Sequence, residues 1–283
     1  MKKTYRAILL SAFFSFFLVS SVFSYNQPTL NPGVSNFLDG FVPGPGLYAI
    51  PHFYYYSAKE LKDSSGNELP GHFDLTVFTE LTQIVYLSDY DVLGGKFGWD
   101  MIIPFSNIDL DGVDSESGFG DIFVGAFWQD EKKLFDVIPY HDRLLFGVSL
   151  PVGRYDNMRS VNIGQNNYTL LPYYAFTAFL SPEIETSWRF QYFYHTKNTD
   201  FGPAGDDLKP GQMFQVNFAF SYALIPSLRI GASGYYAKQT SEDEVNGRKL
   251  TGSKEQILSL GPGIFYNKHR FSQSFNRHFG IRF

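Results

Sequence analysis

The feature that most constrains this chain is a two-residue alternation that recurs from Gly46 to the last residue. Phe214–Leu224 shows it best: Phe214, Val216, Phe218, Phe220, Tyr222 and Leu224 share one parity, and Gln215, Asn217, Ala219, Ser221 and Ala223 share the other. Successive side chains of a strand point to opposite faces, so this segment has one aromatic–aliphatic face and one small, polar face. The same alternation runs through Lys96–Phe105, with Phe97, Trp99, Met101, Ile103 and Phe105 against Lys96, Gly98 and Asp100. It returns in Glu185–His195, where Trp188, Phe190, Tyr192 and Tyr194 oppose Arg189, Gln191 and His195. A soluble sandwich alternates too, with its apolar face turned inward. What flanks the strands separates the two.

Met1–Ser24 places Lys2, Lys3 and Arg6 before the apolar run Ala7–Phe23. That is the layout of a cleavable secretory signal, and it predicts a mature chain starting at Tyr25. An uncleaved anchor helix is the rival reading, because the run nears the lower length for spanning a bilayer. Serines in and beside the run, and no basic residue just after it, favour cleavage. Beyond this segment no apolar run reaches helix-spanning length. The 44 % of apolar residues are dispersed, and mean hydropathy is only −0.16.

Tyr25–Pro45, rich in Asn, Gly and Pro, reads as an irregular lead-in to a barrel over 46–283. Eleven strand-like segments follow, and their connections alternate in length. Those after Ala58, Phe105, Leu150, His195 and Gln239 are long and polar, and those at Ser88, Ser181, Ile225 and Asn267 are short. Charged Asp130–Asp142 is the one exception. Long loops at one end and tight turns at the other are the mark of outer-membrane barrels. The expected fold is all-β: a transmembrane antiparallel up-and-down β-barrel in the outer membrane of a Gram-negative cell. Such single-chain barrels have even strand numbers. About 12 strands are expected, within a range of 10–14, the missing one hidden in Leu134–Tyr140, in the lead-in or in Gln256–Phe283. The final segment alternates up to a terminal Phe283, the ending that barrel-assembly machinery reads in outer-membrane proteins.

With the aromatic parity against outer-membrane lipids, the other parity lines the lumen. The candidate lumen-lining residues are Asp74, Glu80, Asp100, Asp121, Arg189, Gln191, Gln215, Asn217, Arg229 and Arg282. Buried charges demand partners or water, so this set implies an internal ion-pair network or a wet pore. Small inward residues (Gly98, Gly125, Gly147, Gly231, Ser233) are expected to leave room.

Other chemistries find little support. Net charge is −5, and removal of Met1–Ser24 leaves 20 basic against 28 acidic residues, which disfavours a nucleic-acid partner. With no cysteine there is no thiol nucleophile, disulfide or thiolate metal site. A barrel enzyme acting on lipids would need a serine bonded to an oriented histidine. None of His52, His72, His141, His195, His269 and His278 has such a partner nearby in sequence. Asp109, Asp111, Asp114 and Glu116 do not match a calcium-loop spacing. No catalytic residue, cofactor or metal is expected.

Seven short segments, in order, resemble one family: PGPGLY (Pro43–Tyr48), GFGDIFVG (Gly118–Gly125), FGVSLPVGRYD (Phe146–Asp156), IGQNNYTLLP from Ile163 to Pro172, PGQMF (Pro210–Phe214), RIGASGYYAKQ (Arg229–Gln239) and LGPGIFY (Leu260–Tyr266). The family comprises the outer-membrane barrels, often called transporters, that are named for the meta-pathway of phenol degradation. The resemblance implies an outer-membrane channel that passes small hydrophobic or aromatic compounds, and it brings no catalytic residues. The chain ends sooner after LGPGIFY than the family pattern suggests. The rival readings are a lipid-processing barrel enzyme and a structural or adhesive barrel acting through its outer loops.

Overall fold

The computed structural model of the chain describes residues 37–41, 44–60, 67–68, 70–268, 271–276 and 279–282, with backbone alone from 268 onward. Met1–Ser24, most of the lead-in and Phe283 lie outside the described residues.

The described residues form seventeen strands: β1 (Gly46–Ala58), β2 (Leu75–Val92), β3 (Gly95–Leu110), β4 (Asp114–Phe119), β5 (Ile122–Leu134), β6 (Ile138–Leu150), β7 (Thr169–Phe179), β8 (Ile184–His195), β9 (Asn198–Phe201), β10 (Asp206–Lys209), β11 (Met213–Ile225), β12 (Leu228–Gln239), β13 (Glu244–Val245), β14 (Arg248–Lys249), β15 (Gln256–Lys268), β16 (Phe271–Asn276) and β17 (Phe279–Arg282). Thirteen form one antiparallel sheet whose neighbours follow chain order, β1-β2-β3-β5-β6-β7-β8-β11-β12-β15-β16. That is an up-and-down meander. β4 pairs with β3 beyond the point where β5 does, so β4 and β5 form one strand broken at Gly120-Asp121. Likewise β16 and β17 both pair with β15. Among the described residues the sheet is thus eleven strands wide, close to the expected twelve. β9, β10, β13 and β14 make a separate small sheet within two of the long connections.

Two expected connections are corrected. Asp130–Asp142 is not a long loop, because β5 and β6 pair down to Leu134↔Ile138 and leave only Phe135–Val137 as the turn. Its charges had suggested a solvated loop. Instead Lys132 lies 3.0 Å from Asp130 and 3.4 Å from Asp142 on the strand pair itself. The connection after Phe105 is likewise not a long loop, because β3 and β4 pair out to Leu110↔Asp114 and leave only Asp111–Val113 as the turn. The other connections keep their expected long and short order.

Burial fixes the two faces. Large side chains on one parity stay exposed to the surroundings, among them Phe53, Phe78, Phe105, Phe146, Phe220 and Tyr222. Leu81, Phe123, Phe127, Leu145, Leu171, Phe193 and Ile257, on the other parity, are buried inside. The expectation for Phe214–Leu224 therefore describes the wall well: Gln215, Asn217, Ala219 and Ser221 are buried, while Phe214, Phe220, Tyr222 and Leu224 are exposed.

Candidate functional site: the barrel lumen

The inner wall is more apolar than the sequence suggested. Val85, Leu87, Phe123, Phe127, Leu145, Leu171, Tyr173, Ala175, Phe193, Met213, Tyr235, Ala237 and Ile257 form one connected cluster around the inner face. The small inward residues do not leave empty space. A Cβ at Gly98 would come 2.2 Å from the Phe127 ring, and one at Gly147 would come 2.2 Å from the Phe123 ring. The glycines admit these rings, which lie flat along the neighbouring strand where any side chain would collide.

At the short-turn end, the last part of the lead-in is seated inside the barrel. Residues 37–40 make a turn, and Phe37 and Gly40 are buried. Arg189, pointing inward from β8, grips Asp39 with both arms of its guanidinium: Nε donates to Oδ2 at 3.0 Å, and Nη2 donates to Oδ1. The same guanidinium stacks 4.2 Å from the centre of the Tyr173 ring. The Gly40 N–H donates to Thr177 Oγ1 at 3.0 Å, and the Phe41 ring meets His141 edge-on at 4.7 Å. Gly40 lies so close that a Cβ would be 2.6 Å from the Phe176 backbone. An internal segment therefore narrows the lumen at the end that loop asymmetry marks as periplasmic.

Polar side chains form stations around this narrowing. Gln83 bridges β1 and β3, bonding His52 and Asp100 at 2.9 Å each. Arg143 donates twice to Gln129 and lies 4.6 Å from the Phe127 ring centre. Glu185 accepts from Ser221 at 2.7 Å and from Ser187 at 2.9 Å, and Ser187 in turn bonds Thr177. Arg229 joins this chain through Ser221 at 2.8 Å. Asp100 Oδ1, Tyr173 Oη and Asn217 Nδ2 are buried with no hydrogen-bond partner in the protein. Such orphaned groups are uncommon in folded chains.

At the opposite end a strap, residues 151–168 between β6 and β7, packs against the inward side of β4 and the start of β5. Asp121 accepts from the Gly153 and Gln165 N–H groups, both at 2.9 Å. Arg159 pairs with Asp114 at 2.5 Å and with Glu116 at 2.9 Å, and Arg154 pairs with Glu116 at 3.0 Å. Tyr155 and Asn157 reach Asp200 on β9. Burial pushes the Asp114 carboxyl up, but the Val161 N–H and the Arg159 guanidinium outweigh it and hold the group below its ordinary range. Asp121 explains why GFGD, PVGRYD and IGQN occur together: one carboxylate from the first binds backbone of the other two.

The ten sequence candidates fall into different places. Asp100, Arg189, Gln191, Gln215, Asn217 and Arg229 sit on the buried, inward parity. Arg282 pairs with Ile257, at an inward register position. Asp121 is buried under the strap. Asp74 lies just before β2, where its carbonyl accepts the Asp111 N–H. Glu80 departs from expectation: it faces Phe53 and Phe105 across the ladders, on the outward parity, and accepts from Thr82. The error came from setting Leu81 against Glu80 with the apolar residue outward, whereas Leu81 is part of the inner wall. Asp39, His52, Gln83, Gln129, Arg143 and Glu185 were missed. Arg143 and Glu185 share the inward parity of Leu145 and Arg189 and could have been found that way. Asp39 lies 150 residues from Arg189, and no local pattern marks it.

An antiparallel meander with an aromatic outer face, a buried inner face and loops sorted by length defines an outer-membrane-type β-barrel. The chain belongs to the family described as "Putative MetA-pathway of phenol degradation", whose model matches residues 58–278. Among solved structures it is similar to the COG4313 outer membrane channel from Pseudomonas putida F1, with TM-score 0.74 and 13 % identity, over 88 % of this chain and 92 % of that one. No curated protein matches the sequence significantly.

Proposed function

We propose that the protein is an outer-membrane channel for small hydrophobic, chiefly aromatic, compounds, exported by way of Met1–Ser24. The carrying observation is the apolar cluster on the inner wall. A general diffusion pore for hydrophilic solutes has a polar, water-filled interior. Here a solute's ring would pass by displacing Phe127, Leu145, Leu171 and Phe193, which are packed against one another in this state. Its hydroxyl or amide would find partners in Asp100, Tyr173 and Asn217, the groups left unpaired. The described similarity to an outer membrane channel supports this reading.

The seated Phe37–Phe41 segment implies low basal conductance. In planar bilayers the purified protein should show small, rare current steps, and deletion in the native cell should slow growth on aromatic substrates at low concentration. Large steady conductance with free passage of sugars would overturn the hydrophobic reading. Among the described residues the enzymatic alternative has one geometric candidate, the Thr169 hydroxyl 2.8 Å from His195 Nδ1. A nucleophile–base pair also needs an orienting third group. Phospholipid hydrolysis by the purified barrel, abolished by Thr169→Val, would make it an enzyme.

A further inference from the structure

The lipid-facing side of the wall holds a polar cluster that the pore does not use. On the outward parity of β5 and β6, near the short turn, Lys132 Nζ lies between Asp130 (3.0 Å) and Asp142 (3.4 Å) and 5.2 Å from the Trp128 ring centre. From β7, the Tyr174 hydroxyl donates to Asp142 Oδ2 at 3.1 Å, and the Tyr140 hydroxyl bonds that of Tyr174. Asp142 is only 7 % exposed, and its Oδ1 has no hydrogen-bond partner. Two carboxylates share one ammonium, so the cluster carries an excess negative charge. On a membrane face such charge is expensive unless neutralised.

A groove of about 230 Å³ adjoins the cluster on the side of the bilayer midplane, lined by Leu144, Pro172, Tyr174, Phe190, Tyr192 and Phe214. Its cause is local. Pro172 has no N–H to give to a ladder. The β7–β8 register runs through Leu170↔Tyr194 and resumes at Tyr173↔Gln191, leaving Leu171 and Pro172 out. Tyr174 belongs to both the groove and the cluster. Trp128, Tyr140 and Tyr174 are the residue types that mark a membrane–water interface.

From this juxtaposition we infer a binding site for one phospholipid of the periplasmic leaflet that bears a primary-amine headgroup. The ammonium donates to Asp142 and Asp130, the phosphate meets Lys132, and one acyl chain lies in the groove. The excess negative charge selects this headgroup over an anionic one, and the free N–H donors suit the carboxylate oxygens. The site rests on the outward face of the barrel and not on which solute the lumen passes, so its failure leaves the channel reading intact.

Native mass spectrometry of the delipidated barrel, offered equal phosphatidylethanolamine and phosphatidylglycerol with identical chains, tests it. The wild type should retain the ethanolamine lipid about tenfold better, the ratio a single charge-assisted bond supplies. Asp142→Asn should erase the preference, and Tyr192→Ala should weaken both lipids equally. Should Asp142→Asn fail the gel-shift test of barrel folding, the wild-type ratio and Lys132→Met, which should weaken both lipids, still decide. Equal retention by the wild type, preference for the anionic lipid, or retention of an aromatic solute and neither phospholipid would each overturn the site.

Discussion

The lumen is narrowed at both ends, by opposite means. At the periplasmic end a short segment, Phe37–Phe41, is held, among the described residues, by one buried ion pair, one backbone hydrogen bond and one ring contact. At the other end the strap 151–168 is tied down by many bonds to β4, β9 and the break before β5. A few strong contacts let go together, whereas many moderate ones are lost one at a time. This contrast makes the periplasmic segment the expected gate and the strap the expected fixed frame. That difference can be broken experimentally.

The largest effect is expected from Asp39→Ala. It leaves the Arg189 guanidinium buried and unpaired, and removing one partner of a buried pair costs about 3–5 kcal/mol. The segment should leave its seat, and bilayer conductance should rise. Replacing both partners (Asp39→Ala with Arg189→Met) should recover much of the stability while keeping the conductance high, because no charge is stranded. Gly40→Val separates seating from charge: its Cβ branch has no room beside Phe176, so conductance should rise with Asp39 intact. If none of these variants changes conductance, the segment is not a gate.

A smaller, purely structural effect is expected from Asp121→Ala. It strands the Gly153 and Gln165 N–H groups, each worth about 1–3 kcal/mol when left unsatisfied in a buried place. Thermal unfolding in detergent should show the loss, and bilayer conductance should change far less than in Asp39→Ala. A conductance increase equal to that of the gate variants would show that the strap gates too.

Where the sequence could be read and where it could not follows the same contrast. Features that depend on nearest neighbours along a strand were legible, such as the outward aromatics of β11 and the tight turns at Ser88, Ser181 and Ile225; the turns at Asp111–Val113 and Phe135–Val137, each hidden in a charged stretch, were not. Features set by contacts across the barrel were not. Asp39 reads as one more polar residue in a loop until Arg189 is placed beside it. Glu80 was misassigned because Leu81 and Val77 are equally at home on a lipid face or on an apolar inner wall, and parity alone does not say which face is inside. The lumen's apolar character was hidden for a related reason: Gly125 was read as an inward residue that leaves room, whereas Phe123 and Phe127 on the same parity fill the space that Gly147 and Gly98 free for their rings.

The smallest effect concerns the exposed part of the strap and is read through pH. Arg159→Ala removes the partly exposed pair with Asp114 and one of the two arginines on buried Glu116, but Arg154 keeps the other, so the unfolding temperature should fall less than in Asp121→Ala. The link is still visible locally, because the Val161 N–H donates to Asp114 Oδ2 at 3.1 Å. The Asp114 carboxyl is held below its ordinary range in the folded chain. A depressed carboxyl contributes fully above its unfolded value of about 3.9, and that contribution disappears as pH falls through the lower folded value. Protection of the Val161 amide against hydrogen exchange should thus be flat from pH 7 to about pH 4.5 and fall only in stronger acid. In Asp114→Asn the fall should be absent. Loss of protection already near neutral pH would mean that another group holds the strap, and the many-bond account of that end would need revision.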